Sequence, residues 1–103
     1  MKRPEDCETM LDIRAEIDRL DAGLIALLAE RTGYIDRAAL VKTTVNLPAR
    51  IDARVEEVVQ NVRSLAARQG LDPALAEGLW RQLIDWSIAR EEEKLGRSQP
   101  SPV

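Results

Sequence analysis

Arg14, Arg31 and Lys42 lie in the first half of the chain, and Ser87 and Glu91 lie near its far end. Guanidinium groups bind carboxylates with defined geometry, and an ammonium is a compact, mobile donor. Such a set suits a small anionic ligand. On an exposed helical face a cation usually has a carboxylate three or four residues away. The residues at those distances from Arg31 are Leu27, Leu28, Tyr34 and Ile35, and Lys42 looks back on Ala38 and Ala39. A cation in apolar surroundings needs an anion from elsewhere, either a distant carboxylate or a ligand. The pattern is not selective, because Arg37 sits in a similar setting and long basic side chains commonly cover apolar surface while keeping their charge in water.

Helical geometry sharpens the set. Arg31 and Lys42 are 11 residues apart, a net rotation of about 20° and a rise of about 16 Å, so they share a face. With side chains reaching roughly 6 Å each, a gap of about 4–5 Å remains between them, enough for a small anion. Arg14 lies about 25 Å before Arg31 and is rotated by about 100°, too far to join them on one straight helix. If the three cations serve one ligand, Arg14 must come from a second copy of the chain. Ser87 and Glu91 are spaced i,i+4 and share a helical face. Read alone, Glu91-Glu92-Glu93 is an ordinary solvated acidic run near a helix end.

The positioning elements follow from periodicity. Ile13, Ile17, Leu20, Leu24, Leu27, Leu28, Ile35, Ala38 and Val41 recur at steps that keep one apolar stripe in phase. This predicts one helix from about residue 10 to Lys42, about 45–50 Å long, running through Gly23 and Gly33. Asp6 or Thr9 could cap it, and Thr9 has Asp12 three residues on, a weak form of the capping box. Thr43 to Ala49 form a boundary, since Pro48 disfavours helix at Leu47. A second helix is predicted from Ala49 or Arg50 to Arg68, with Ile51, Val55, Val58, Val59, Val62, Leu65 and Ala66 apolar and Gly70 as its stop. Asp72-Pro73 opens a third helix to Leu95, with Leu75, Leu79, Leu83, Trp86 and Ile88 on the buried side and Trp80 and Ile84 flanking. The expected organisation is an N-terminal extension over 1–7, a helical domain over 8–95 and a disordered tail over 96–103.

Composition bounds the function. The chain has 103 residues, enough for one domain, and a long helix is poorly covered by two shorter ones, which points to oligomerisation. A net charge of −3 with no basic block argues against nucleic-acid binding. There is no His, so His-based catalysis and His-ligated metals are excluded, and Cys7 is alone, so there is no disulfide framework. No apolar run approaches the ~18 residues of a membrane span, and the N-terminus lacks the apolar core of a secretory signal. The default location is cytoplasmic.

The segment IRAEIDRLDAGLIALLAER, followed by Lys42, resembles the first helix of the all-helical chorismate mutases. The similarity continues through ARVEEVV, LDPALAEGLW and LIDWSIARE, roughly residues 8 to 95, and the opening PEDC resembles the isochorismate pyruvate lyase branch of that family. The resemblance implies an all-α, three-helix protomer with a long first helix, and an intertwined homodimer. It implies a Claisen rearrangement of chorismate to prephenate, on the route to Phe and Tyr, with no cofactor and no metal. By position, Arg14 of the partner subunit, Arg31 and Arg54 would hold substrate carboxylates, Lys42 and Glu91 would flank the ether oxygen, and Ser87 would line the pocket. No nucleophile or base is required; positioning and donors to the breaking C–O bond suffice.

The chain departs from the family pattern at two places. Many members carry Gln at the position of Glu91. A carboxylate there would oppose developing negative charge, so Glu91 would have to donate as the neutral acid, with activity falling as pH rises. Val55 stands where typical mutases have a Glu that contacts the ring hydroxyl, a contact for which Asp52 or Glu56 could substitute. The leading expectation is chorismate mutase. The runner-up is isochorismate pyruvate lyase, favoured slightly by PEDC and Val55, and the third reading is a non-catalytic helical dimerisation module.

Overall fold

The computed structural model describes residues 1–98, with side chains through Leu95. A 3-10 turn at Pro4–Asp6 precedes three helices, α1 (Met10–Val45), α2 (Asp52–Gln69) and α3 (Pro73–Ser98). The all-α class with a long first helix is therefore as expected. Helix α3 runs three residues past the expected end at Leu95; the remainder of the expected tail, 99–103, lies outside the described residues. Two compact units divide the chain, Met1–Tyr34 and the part from Ile35 onward.

The first unit is local in construction. The Oγ1 of Thr9 accepts the Asp12 backbone N–H at 3.1 Å, and the Asp12 carboxylate accepts the N–H of Glu8 at 3.1 Å, a capping box displaced by one residue at its return bond. The N-terminal strand of chain folds back on these turns: the Lys2 N–H donates to Glu16 at 2.7 Å, and the Lys2 ammonium lies 3.1 Å from Asp12. Helix α1 passes without a break through Gly23 and Gly33. No residue of this unit is buried, and the stripe formed by Ile17, Leu20, Leu24 and Leu27 is about half exposed or more.

The second unit holds the core. Ala49, Val59, Ile84 and Ile88 are buried together, with Val55, Val58, Trp80 and Leu95 packed against them. Complete burial of a Val side chain such as Val59 contributes on the order of 1.5–3 kcal/mol. Helix α1 outlasts the expected end at Lys42 because Thr43 and Thr44 donate their hydroxyls to the carbonyls of Ala39 and Val41 and stay helical. It stops at Asn46, which takes a left-handed φ of 60°, while the Leu47 N–H closes on the Lys42 carbonyl at 2.9 Å. Gly70, at φ 75°, ends α2 in the same manner, with the Leu71 N–H donating to the Ala66 carbonyl. The Asp72 carboxylate caps α3 through the Ala74 N–H at 2.9 Å.

The buried side of α3 differs from expectation. Ala76, Ile84, Ser87, Ile88 and Glu91 are buried, whereas Leu75, Leu79 and Trp86 are about half exposed. Helix α3 carries apolar residues on two faces, and periodicity alone does not choose between them. Arg63 and Arg81 both hold Glu77 at 2.7 Å, and Arg81 also spans to Glu56 at 3.2 Å, so charged pairs tie α2 to α3 outside the core. Among the described residues no helix is long and apolar enough to cross a membrane.

Candidate active site

Lys42 lies three residues before the end of α1, on the last turns kept helical by the Thr43 and Thr44 back-bonds. Its Nζ lies 3.0 Å from Glu91 Oε1 and donates to the Ala49 carbonyl at 2.7 Å. The lysine side chain is 19% exposed and that of Glu91 5%. The distant anion demanded by the apolar setting of Lys42 is thus Glu91, which the chain places opposite it. The Oε1 atom of Glu91 is buried and takes no directed hydrogen bond, so its contact with Lys42 is an ion pair. An ammonium carries three donors. The Ala49 carbonyl engages one of them, Glu91 lies beside the ammonium as its counter-ion, and donor capacity remains to serve an acceptor.

Ser87 sits one turn before Glu91 and is equally buried, its hydroxyl donating to the Leu83 carbonyl at 2.8 Å. The sequence reading of Ser87 and Glu91 as one face therefore holds, and the acidic run is not uniformly solvated: Glu91 is buried while Glu92 and Glu93 are exposed. A cleft of about 410 Å³ opens beside Lys42, lined by Lys42, Thr43, Asn46, Leu47, Pro48 and Leu95. That size suits a small molecule. Ser87 and Glu91 do not line this cleft; Glu91 meets it only through its pairing with Lys42.

The remaining expected site residues fall elsewhere. Arg54 lies on α2 with its side chain largely exposed and pairs with Glu57, one turn away. Arg14 and Arg31 belong to the first unit; Arg14 is exposed and Arg31 half-buried.

A second ion pair lies on the same two elements as Lys42 and Glu91. The Arg90 guanidinium grips both carboxylate oxygens of Asp36, at 2.6 and 3.0 Å, and lies 5.6 Å from the Trp86 ring centre. The Lys94 ammonium approaches the same carboxylate at 3.8 Å. The Arg90 hydrogen bonds hold the Asp36 carboxyl below its ordinary range, against the opposing effect of desolvation, and Arg90 is correspondingly pushed up. Sequence reasoning missed this pair, since its members are 54 positions apart and each has nearer opposite charges. Among the described residues no group of acidic or thiol side chains is gathered as a metal site.

These features meet a consistent set of relatives. The family model for chorismate mutase type II matches residues 13–92. An isochorismate pyruvate lyase of Pseudomonas aeruginosa is 36% identical over 88% of this chain and 89% of its own length. A chorismate mutase of Methanocaldococcus jannaschii is 24% identical over 89% of this chain and 93% of its own. A 4-amino-4-deoxychorismate mutase of Streptomyces pristinaespiralis is 29% identical, covering 88% and 73% respectively. With a half-buried Lys42 paired to a buried Glu91 beside a cleft, on an all-helical chain matched by the family model over residues 13–92, the protein belongs to the type II chorismate mutase family.

Proposed function

We propose that this enzyme binds a cyclohexadiene dicarboxylate carrying an enolpyruvyl ether and promotes a pericyclic step in which the ether C–O bond breaks. The observation that carries this reading is the Lys42 ammonium, fixed by Glu91 and the Ala49 carbonyl at the edge of the cleft. Negative charge grows on the ether oxygen as its bond to the ring lengthens, and a donor already in place stabilises that charge without reorganisation. Arginines supply the other requirement, holding both carboxylates so that the enolpyruvyl arm folds over the ring. Arg31 and Arg54, with Arg14 of the partner subunit, take this role in a homodimer that covers the exposed stripe of α1, and Ser87 supports the pocket wall.

Of the two chemistries, pyruvate elimination from isochorismate is favoured. In that reaction the C–O bond breaks while a ring hydrogen passes to the enolpyruvyl methylene, giving pyruvate and an aromatic ring. Two observations support it: the lyase from Pseudomonas aeruginosa is similar along almost the whole of both chains, and Val55 is half-buried against the core, offering no acceptor for a ring hydroxyl. Rearrangement of chorismate to prephenate, in which the C–O bond is exchanged for a C–C bond, is the second reading. It is supported by the family match and by the mutase from Methanocaldococcus jannaschii.

The deciding experiment offers isochorismate and chorismate separately to the purified protein and identifies salicylate or prephenate, with Arg31→Ala as control. Salicylate as the dominant product establishes the lyase and prephenate the mutase. No turnover of either, with Arg31→Ala indistinguishable in ligand affinity, overturns both and leaves a non-catalytic helical module.

A further inference from the structure

The Asp36–Arg90 pair is not part of the site described above, yet it joins the same two helices. Asp36 precedes Lys42 by six residues on α1, a rise of about 9 Å, and Arg90 is the residue next to Glu91 on α3. Between Asp36 and Lys42 lies Ala39, 1% exposed, with no side-chain bulk to hold this part of α1 by interdigitation. The cluster around Val59 is drawn from α2, α3 and the loop residue Ala49, and Ala39 is the buried α1 residue outside it. The end of α1 that carries Lys42 is held by the buried Ala39 and by polar contacts from Asp36 and Lys42.

We propose that Asp36 and Arg90 form a positioning clamp that sets the end of α1 against α3 so that the Lys42 ammonium stays on Glu91 and at the mouth of the cleft. The geometry is of the specific kind: a fork of two parallel N–H···O bonds, a guanidinium 5.6 Å from the Trp86 ring centre, and a second cation, Lys94, at 3.8 Å. A bidentate pair fixes orientation as well as distance, which a lone ammonium contact does not. The Asp36 carboxyl, held below its ordinary range by Arg90, keeps the clamp charged at neutral pH. Neither Asp36 nor Arg90 touches the reacting atoms; both act through Lys42. A shift of about 1 Å in a catalytic group is enough to cost up to about a hundredfold in rate, so a modest loosening has a measurable effect.

The inference rests on the proposed role of Lys42, and its test separates the two. Asp36→Asn and Arg90→Gln are each expected to lower kcat roughly tenfold with KM nearly unchanged, because the donor to the breaking bond is displaced while the carboxylate grips remain. In a Lys42→Ala background neither substitution should lower the rate further, since residues acting through one another are non-additive. Acylation of lysines in the intact protein, read by peptide mass spectrometry, should quicken at Lys42 in both variants with Lys2 unchanged as internal reference. Wild-type kcat in both variants, losses that multiply with that of Lys42→Ala, or unaltered labelling of Lys42 each overturn the clamp. If the wild-type chain converts neither substrate, the functional reading fails by itself; the labelling then decides the clamp alone, faster labelling upholding it and unchanged labelling rejecting it.

Discussion

The unit Met1–Tyr34 and the unit beginning at Ile35 are built on opposite principles. The first has a cap, a return of the N-terminal strand of chain onto Asp12 and Glu16, and an i,i+3 pair between Glu16 and Arg19, yet it buries no residue. The second buries a cluster around Val59, Ile84 and Ile88 and joins its helices by ion pairs between residues far apart in sequence. Local bonds of the first kind each contribute a few tenths of a kcal/mol to about 1 kcal/mol, too little to hold a long apolar stripe in water. The contrast teaches that the first unit leaves its apolar stripe exposed, while the second holds the Lys42 ammonium in place beside a cleft. In the proposed dimer the two units meet different needs: one supplies the interface and two arginines, the other the ammonium.

The largest effects should come from Lys42 in the second unit and from the exposed stripe of the first. Lys42→Ala removes the donor to the ether oxygen and is expected to lower kcat by about 10²–10³-fold in the product assay, with helicity by circular dichroism retained. An Arg14→Ala protomer mixed with a Lys42→Ala protomer then sharpens the comparison. If each site takes Arg14 from one chain and Lys42 from the other, the mixture regains activity that neither parent has, whereas sites contained in one chain give no regain. Breaking the exposed stripe with Leu24→Glu should shift the protein toward monomer in sedimentation and abolish turnover, while the same charge at exposed Gln60 of α2 should do neither.

Smaller, and confined to stability, is Val59→Ala, expected to cost about 1–3 kcal/mol in denaturant unfolding because the side chain is completely buried. Least of all is the acid limb. The carboxyls of Asp36 and Glu77 are held below their ordinary range, first by hydrogen bonds from Arg90 and Arg81 respectively. Because the folded values lie below the unfolded ones, this contribution is complete above the ordinary carboxylate range and is lost as pH falls through the lowered values. Asp36→Asn with Glu77→Gln should therefore flatten the decline of melting temperature in that acid window and leave its slope unchanged near neutrality.

What could be read from the chain was what depends on neighbours a few residues away. The 3.6-residue stripe and the Thr9, Gly70 and Asp72-Pro73 signals located three helices and the ends near Met10, Gln69 and Pro73, while α2 begins at Asp52 rather than at Ala49 or Arg50; the shared face of Ser87 and Glu91 followed from spacing alone. The family likeness was also legible, because its motifs are local runs on α1 and α3. The misses have one physical origin. Thr43 and Thr44 extended α1 by satisfying their hydroxyls on preceding carbonyls, an option their β-branching did not reveal. Helix α3 has two apolar faces, and only packing against α2 selected Ile84 and Ile88 over Leu75, Leu79 and Trp86 for the core.

Sequence by itself determined the helices, their order, and that Lys42 must find an anion. Only tertiary structure decided which anion: Glu91, buried on another helix, and not a nearer carboxylate. It also brought Asp36 to Arg90 across 54 positions, because charge pairing between distant segments depends on how helices pack, which no local pattern encodes.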